Sequence, residues 1–168
     1  MAIQTVNERE TFIQTCEREF PTTLKILRAF PDGREDFKPA EKSRTARELA
    51  WNFVLETKIG EAALAGKIDF SQPMPKPPAV TVRKIADLVE EGQRSLIAKV
   101  RAASESDLDR MVGFPVGPKQ MGNFRAAQLL WMPIMDMVHH RGQFSVYLRM
   151  VGAKVPSIYG PTADETWT

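Results

Sequence analysis

The stretch MDMVHHRGQFSVYLRM, residues 135–150, holds both histidines of the chain in an apolar helical run, with an aspartate one turn earlier. Residues four apart share a helix face with Cβ atoms roughly 6 Å apart, so Asp136 and His140 project together, as two metal ligands on one helix must. His139 points about 100° away from His140 by the helical period. It is expected to hydrogen-bond a backbone or carboxylate group at a helix interface, which leaves His140 as the better ligand. One aspartate and one histidine are a weak metal signal, because zinc normally takes at least three protein ligands. With no other histidine in the chain, the remainder must come from Asp, Glu, Asn, Cys or water. The alternative from spacing alone is a buried Asp–His pair that fixes helix packing.

Outward from this stretch, helical periodicity recurs in four segments divided by Pro, Gly and Asp clusters. The first is expected from about Asn7 to Ala29, with Asn7 as N-cap and Phe12, Ile13, Cys16, Phe20, Leu24 and Leu27 in one stripe. Pro21 should kink or split it. Thr45 and Glu48 have capping-box spacing and open the second, which buries Leu49, Ala50, Phe53 and Val54 and ends near Ala65–Gly66. A proline-rich loop follows. The third runs from Thr81 to about Ala103, with Val82, Ile85, Val89, Leu96 and Val100 inward and EEGQR outward or strained at Gly92. SESDLDRMVGFPVGPKQMG then reads as a long connection across one end of the domain. Asn123 is expected to cap the fourth helix, bent at Pro133 and ending at Gly152. The tail VPSIYGPTADETWT can fold back through Ile158, Tyr159 and Trp167. Strand signals are few. The expected architecture is an all-α four-helix bundle with long loops and a C-terminal tail, one domain over residues 1–168.

The composition narrows the function. Apolar residues make up 43% and charged residues 26%, an ordinary globular balance, and 23 basic side chains nearly cancel 21 acidic ones. Nucleic-acid binding needs concentrated positive charge, so it is not expected. No run approaches the ~20 apolar residues of a membrane span, and the start lacks the pattern of a signal peptide. The single cysteine, Cys16, sits at core spacing with Ile13 and Phe20, and a reducing cytoplasm is the expected compartment.

HHRGQFSVYLRMVGAKVPSIYGPTADE, residues 139–165, resembles the C-terminal signature of the DinB family: the HHRGQ core, the YLR after it, the G-x-x-x-P break and the YGP tail occur in order. RTARELAWNF is similar to the family's second helix, in which a cap and an E-L pair precede a histidine ligand. The resemblance implies a DinB/YfiT-type bundle, commonly a homodimer, holding zinc or nickel through one histidine of the second helix and an H-x-x-x-H of the last. It implies thiol-dependent transferase or isomerase chemistry, with a thiol or other small-molecule substrate, for some members. Only His140 keeps its histidine. Asp136 stands four residues earlier and Asn52 falls at the second-helix position, so the implied set reads Asn52, Asp136, His140. These harder ligands favour Mn or Fe relative to three histidines. If no metal binds, the same residues form a hydrogen-bonded cluster, since Asn offers both donor and acceptor.

Further residues are candidates for a pocket or for the surroundings of the ligands. Glu56, four after Asn52, is expected more often as a solvated charge than as a base or ligand. Trp51 could line a pocket or pack. Arg141 and Arg149 could bind an anion, though salt bridges to the acidic tail are the stronger expectation. Gly142 is expected at a close helix contact, and Gln143 and Tyr147 against the tail or a second subunit. Met132, Met135, Met137 and Met150 are dispersed around the helix, consistent with cover by a partner. Two functions compete: a metal-assisted transferase or hydrolase, and a metal-free ligand-binding or stress-response bundle.

Overall fold

The computed structural model describes residues 7–71 and 73–167. Its long helices are α1 (Glu8–Arg28), α2 (Ala46–Leu64), α3 (Val82–Ala102) and α5 (Ala126–Met150). Between the last two lie a short α4 (Glu105–Asp109) and a hairpin of β1 (Met111–Gly117) and β2 (Gln120–Arg125). The first three long helices start at the caps read from the sequence. Asn7 accepts the Glu10 amide at 3.1 Å and Thr81 accepts the Lys84 amide at 3.2 Å. Thr45 and Glu48 close the capping box of α2 at 3.2 and 2.8 Å. Helices α1 and α5 run unbroken through Pro21 and Pro133. Proline removes one backbone bond, and packing on either side of it holds the helix against that loss.

Helices α1 and α2 each pack against both α3 and α5, so α1 and α2 stand diagonally across the bundle. One apolar core, including Phe12, Leu27, Phe53, Ile85, Leu96 and Phe144, fills the space between the four. At the α2–α3 contact a Cβ on Gly92 would lie 2.4 Å from Thr57 Oγ1, so the bare backbone of Gly92 lets the helices approach. Gln93 beside it is buried. The EEGQR stretch is thus partly an interface, against the expectation of an outward face. Gly142 is the reverse case: a Cβ there would meet nothing within 4 Å, and no close contact explains the glycine.

The hairpin departs from the all-α expectation. Asn123 does not cap the last long helix but pairs with Gly113 across the sheet, and α5 starts at Ala126, where the Gln128 side chain receives the Arg125 amide at 3.1 Å. The cause is a period-two pattern hidden among Gly and Pro. Val112, Phe114 and Val116 alternate along β1, and Val112 buries with Ala63, Ala126 and Leu129 in a second small core. Pro115 is tolerated because a two-stranded ribbon consists only of edges. The turn residue Lys119 takes the left-handed conformation, φ 60°.

The tail folds back as expected. Ile158 packs on the core, and the Trp167 indole donates to Ser157 Oγ at 3.1 Å. Arg149 pairs with Asp164 at 2.6 Å and Lys25 with Glu165 at 2.6 Å. Of the α5 methionines, Met137 is buried and Met132, Met135 and Met150 are exposed. Among the described residues no helix is long and apolar enough to cross a membrane.

Candidate metal centre

Two adjacent helices supply two side chains each. Asn52 and Glu56 share a face of α2, Asp136 and His140 share a face of α5, and the four meet in the α2–α5 groove. The imidazole stands between them. His140 Nδ1 lies 2.9 Å from Glu56 Oε1 and 3.5 Å from Asp136 Oδ2. On the other side of the ring, Nε2 faces Asn52 Nδ2 at 3.4 Å. With the amide N–H directed at Nε2, the ring proton sits on Nδ1 and donates to Glu56. An amide turned the other way would accept a proton from Nε2 and free the Nδ1 lone pair toward the two carboxylates.

Glu56 corrects the sequence reading. It is buried, 5% exposed, and is no solvated charge. Its Oε1 contacts the imidazole, while Oε2 is buried without a hydrogen-bond partner. Burial pushes the carboxyl up to about 7; the hydrogen bond and charge of His140 oppose that rise, and the charge of Asp136 adds to it. The sequence did carry a signal: Glu56 ends the apolar run FVL and stands one turn after Asn52 on the same face. Asp136 is the open member, its side chain 56% exposed, whereas that of His140 is 13% exposed.

The other candidates disperse. His139 is exposed and lines the same cavity as Glu56 and Asp136, but its Nε2 lies 2.8 Å from the amide of Gln143 on its own helix, so it makes no interface bond to a carboxylate or backbone group. Gln143 thereby meets α5 itself, while the Tyr147 hydroxyl donates to the Arg44 carbonyl at 2.9 Å, in the connection before α2. Trp51 is mostly buried on the α2–α3 side, its indole donating to the Pro75 carbonyl at 2.8 Å. Arg141 is 1% exposed and points into the bundle, where it bonds Glu19, Thr23 and the tail hydroxyl of Tyr159. It therefore offers nothing to an anion from solvent. Cys16 is fully buried, and burial, with Glu17 and Glu19 nearby, pushes its thiol up to about 12, in keeping with a packing role.

The donor chemistry fits a divalent cation. Glu56, Asp136 and His140 present ligand atoms all within 4.8 Å of one another. Two carboxylates and an imidazole form a set that accepts Zn, Mn or Fe. The partnerless Oε2 of Glu56 is the kind of buried atom that a cation satisfies.

Comparison with known proteins agrees with this architecture. The DinB family pattern matches residues 3–167. The uncharacterised protein YrdA of Bacillus subtilis is 28% identical over 156 residues, which span 92% of this chain and 89% of that protein. A DinB-like protein from Bacillus cereus superposes with a TM-score of 0.72 at 24% identity, covering 89% of this chain and 97% of the other. YfiT of Bacillus subtilis, described as a probable metal-dependent hydrolase with an unusual four-helix bundle topology, superposes with a TM-score of 0.66 at 14% identity, covering 92% and 94%. With a family match over nearly its whole length and a bundle of the same type, the chain belongs to the DinB family.

Proposed function

We propose that this protein is a divalent-metal-dependent enzyme of the hydrolase or transferase class, with its ion held by Glu56, Asp136 and His140. The observation that carries the reading is the buried Glu56 carboxylate, which has one oxygen without a partner beside an imidazole and a second carboxylate. The likeness to YfiT, itself described as a probable metal-dependent hydrolase, adds support. A divalent ion bound there would supply Lewis-acid polarisation or an activated nucleophile. The residues divide the remaining work. Asn52 orients the His140 ring through Nε2, the enclosed Glu56 fixes one side of the site, and Asp136 bounds it on the side open to solvent.

Elemental analysis of untagged protein purified without chelator, followed by titration with Zn, Mn, Fe(II) and Ni, tests the proposal. The expected result is one ion per chain and an affinity that Glu56→Gln lowers at least about 100-fold, more than the loss of an outer residue produces. If none of the four metals binds at micromolar concentrations, the reading fails. The metal-free alternative then stands on the His140 contacts to Glu56 and Asn52.

A further inference from the structure

The α2–α5 groove holds two cavities of about 500 and about 520 Å³ that share no lining residue. Each falls within the roughly 300–1,000 Å³ of small-molecule sites. The ligand cluster divides them: Glu56 and Asp136 line the first, toward the start of α5, and His140 lines the second, toward its end.

Their chemistry is opposite. Ile59, Phe114, Met132, Pro133 and Met135 wall the first beside the His139 imidazole, and it holds two carboxylates, Glu56 and Asp136, with no lysine or arginine. Without an ion on those carboxylates an anion is repelled there, while an uncharged apolar group gains by leaving water with or without the ion. The second is lined by Ser43, Arg44, His140, Gln143 and Tyr147, among others. Arg44 is, with Arg34, one of two arginines without a carboxylate partner among the described residues. Its backbone is meanwhile fixed at the cavity by the Tyr147 hydroxyl. Arg44 is exposed and lines the cavity, and with no carboxylate partner among the described residues its guanidinium is free to pair with a carboxylate from outside.

We propose that the groove binds two separate small molecules at once: one bearing a carboxylate, held by Arg44, and one uncharged and apolar, held against Phe114, Met132 and Met135. That the two would meet at a reaction centre rests on the metal-dependent reading above; their binding does not. Two bound molecules suit a transferase better than a hydrolase, for which water is the second reactant.

Calorimetry and the ¹³C-methyl methionine spectrum of the full chain, metal-free and zinc-loaded, test this with succinate and 2-naphthol as probes. Arg44→Gln is expected to weaken succinate about tenfold or more and leave 2-naphthol unchanged. Met135→Gln, at an exposed position that does not threaten the fold, is expected to weaken 2-naphthol and spare succinate. 2-Naphthol should shift the Met132 and Met135 methyl signals, with or without saturating succinate. The proposal is overturned if the probes compete, if Arg44→Gln leaves succinate unchanged, or if succinate binds only with zinc and is lost in Asp136→Ala, which would place the anion on the ion. Absence of zinc binding with the Arg44→Gln effect intact would defeat the metal reading alone.

Discussion

His140 and Arg141 are neighbours on α5, and each meets a buried glutamate from another helix, yet the two pairs are built to opposite rules. Glu19 and Glu56 show nearly the same exposure, 4% and 5%. Glu19 Oε2 receives Arg141 and the Tyr159 hydroxyl, each at 2.7 Å, and Oε1 receives Arg18 at 3.2 Å. Burial alone would raise its carboxyl; the hydrogen bonds of Arg141, Tyr159 and Arg18 overcome that and hold it below the ordinary range. Glu56 has the imidazole on one oxygen and nothing on the other, and burial wins. Similar exposure thus goes with opposite charge preference, set by the partners and by the deeper enclosure of Glu56 among protein atoms. The Glu19 site is a finished ion pair between helices. The Glu56 site is left incomplete.

Breaking the finished site should have the largest effect. Arg141→Ala leaves the charged Glu19 with only the Tyr159 hydroxyl and the exposed Arg18 as partners and should cost about 3–5 kcal/mol, read as a fall in the denaturation midpoint. A change under 1 kcal/mol would show that the pair is not what ties α1 to α5. At the unfinished site the sign reverses. Glu56→Gln should raise the stability of the metal-free protein at pH 8 by about 1–3 kcal/mol, because one pKa unit corresponds to about 1.4 kcal/mol and the carboxyl is raised from 4.5 to about 7. The same substitution that removes metal should therefore strengthen the fold.

The pH dependence sharpens the contrast. The Glu19 contribution is fully present above its unfolded value near 4.5 and is lost as pH falls through the lowered folded value. For Glu56 the folded state holds its proton more tightly, so stability is greatest below about 4.5 and declines as pH rises toward about 7. Metal-free protein should lose stability on both flanks, and Glu56→Gln should abolish the decline on the alkaline one, as chemical denaturation from about pH 2 to 8 would reveal. The smallest effect is expected between the two sites and outside both. Gly142→Ala, exposed and free of neighbours, should stabilise α5 by about 0.5–1 kcal/mol. A loss there would mean that something covers this face in solution.

The helices were legible because caps and apolar stripes act locally. Asn7, Thr45 with Glu48, and Thr81 each announce a helix start from side-chain chemistry within three residues. Asp136 and His140 were legible as a pair for the same reason, sharing one helix. What was hidden depends on contacts between elements. The period of β1 was masked by Gly113, Pro115 and Gly117, and its pairing with β2 becomes decisive only once Val112 buries against α5. Glu56 looked like any helix-surface acid until α5 closed over it. Arg141 was expected to pair with the acidic tail, and its carboxylate partner is instead Glu19 of α1. Adjacent residues on a helix diverge by about 100°, so His140 and Arg141 were bound to serve different neighbours, but spacing does not say which.

The placement of the cluster also bears on how its chemistry can drift. Its four positions come from one pair of helices, and they are unequal: Glu56 and His140 are enclosed, while Asp136 is open and Asn52 half-buried. A substitution at Asn52 or Asp136 alters the donors offered to an ion and removes little from the core. Evolvability therefore concentrates on two positions at the rim, where successive changes can retune metal preference while the bundle beneath keeps its stability.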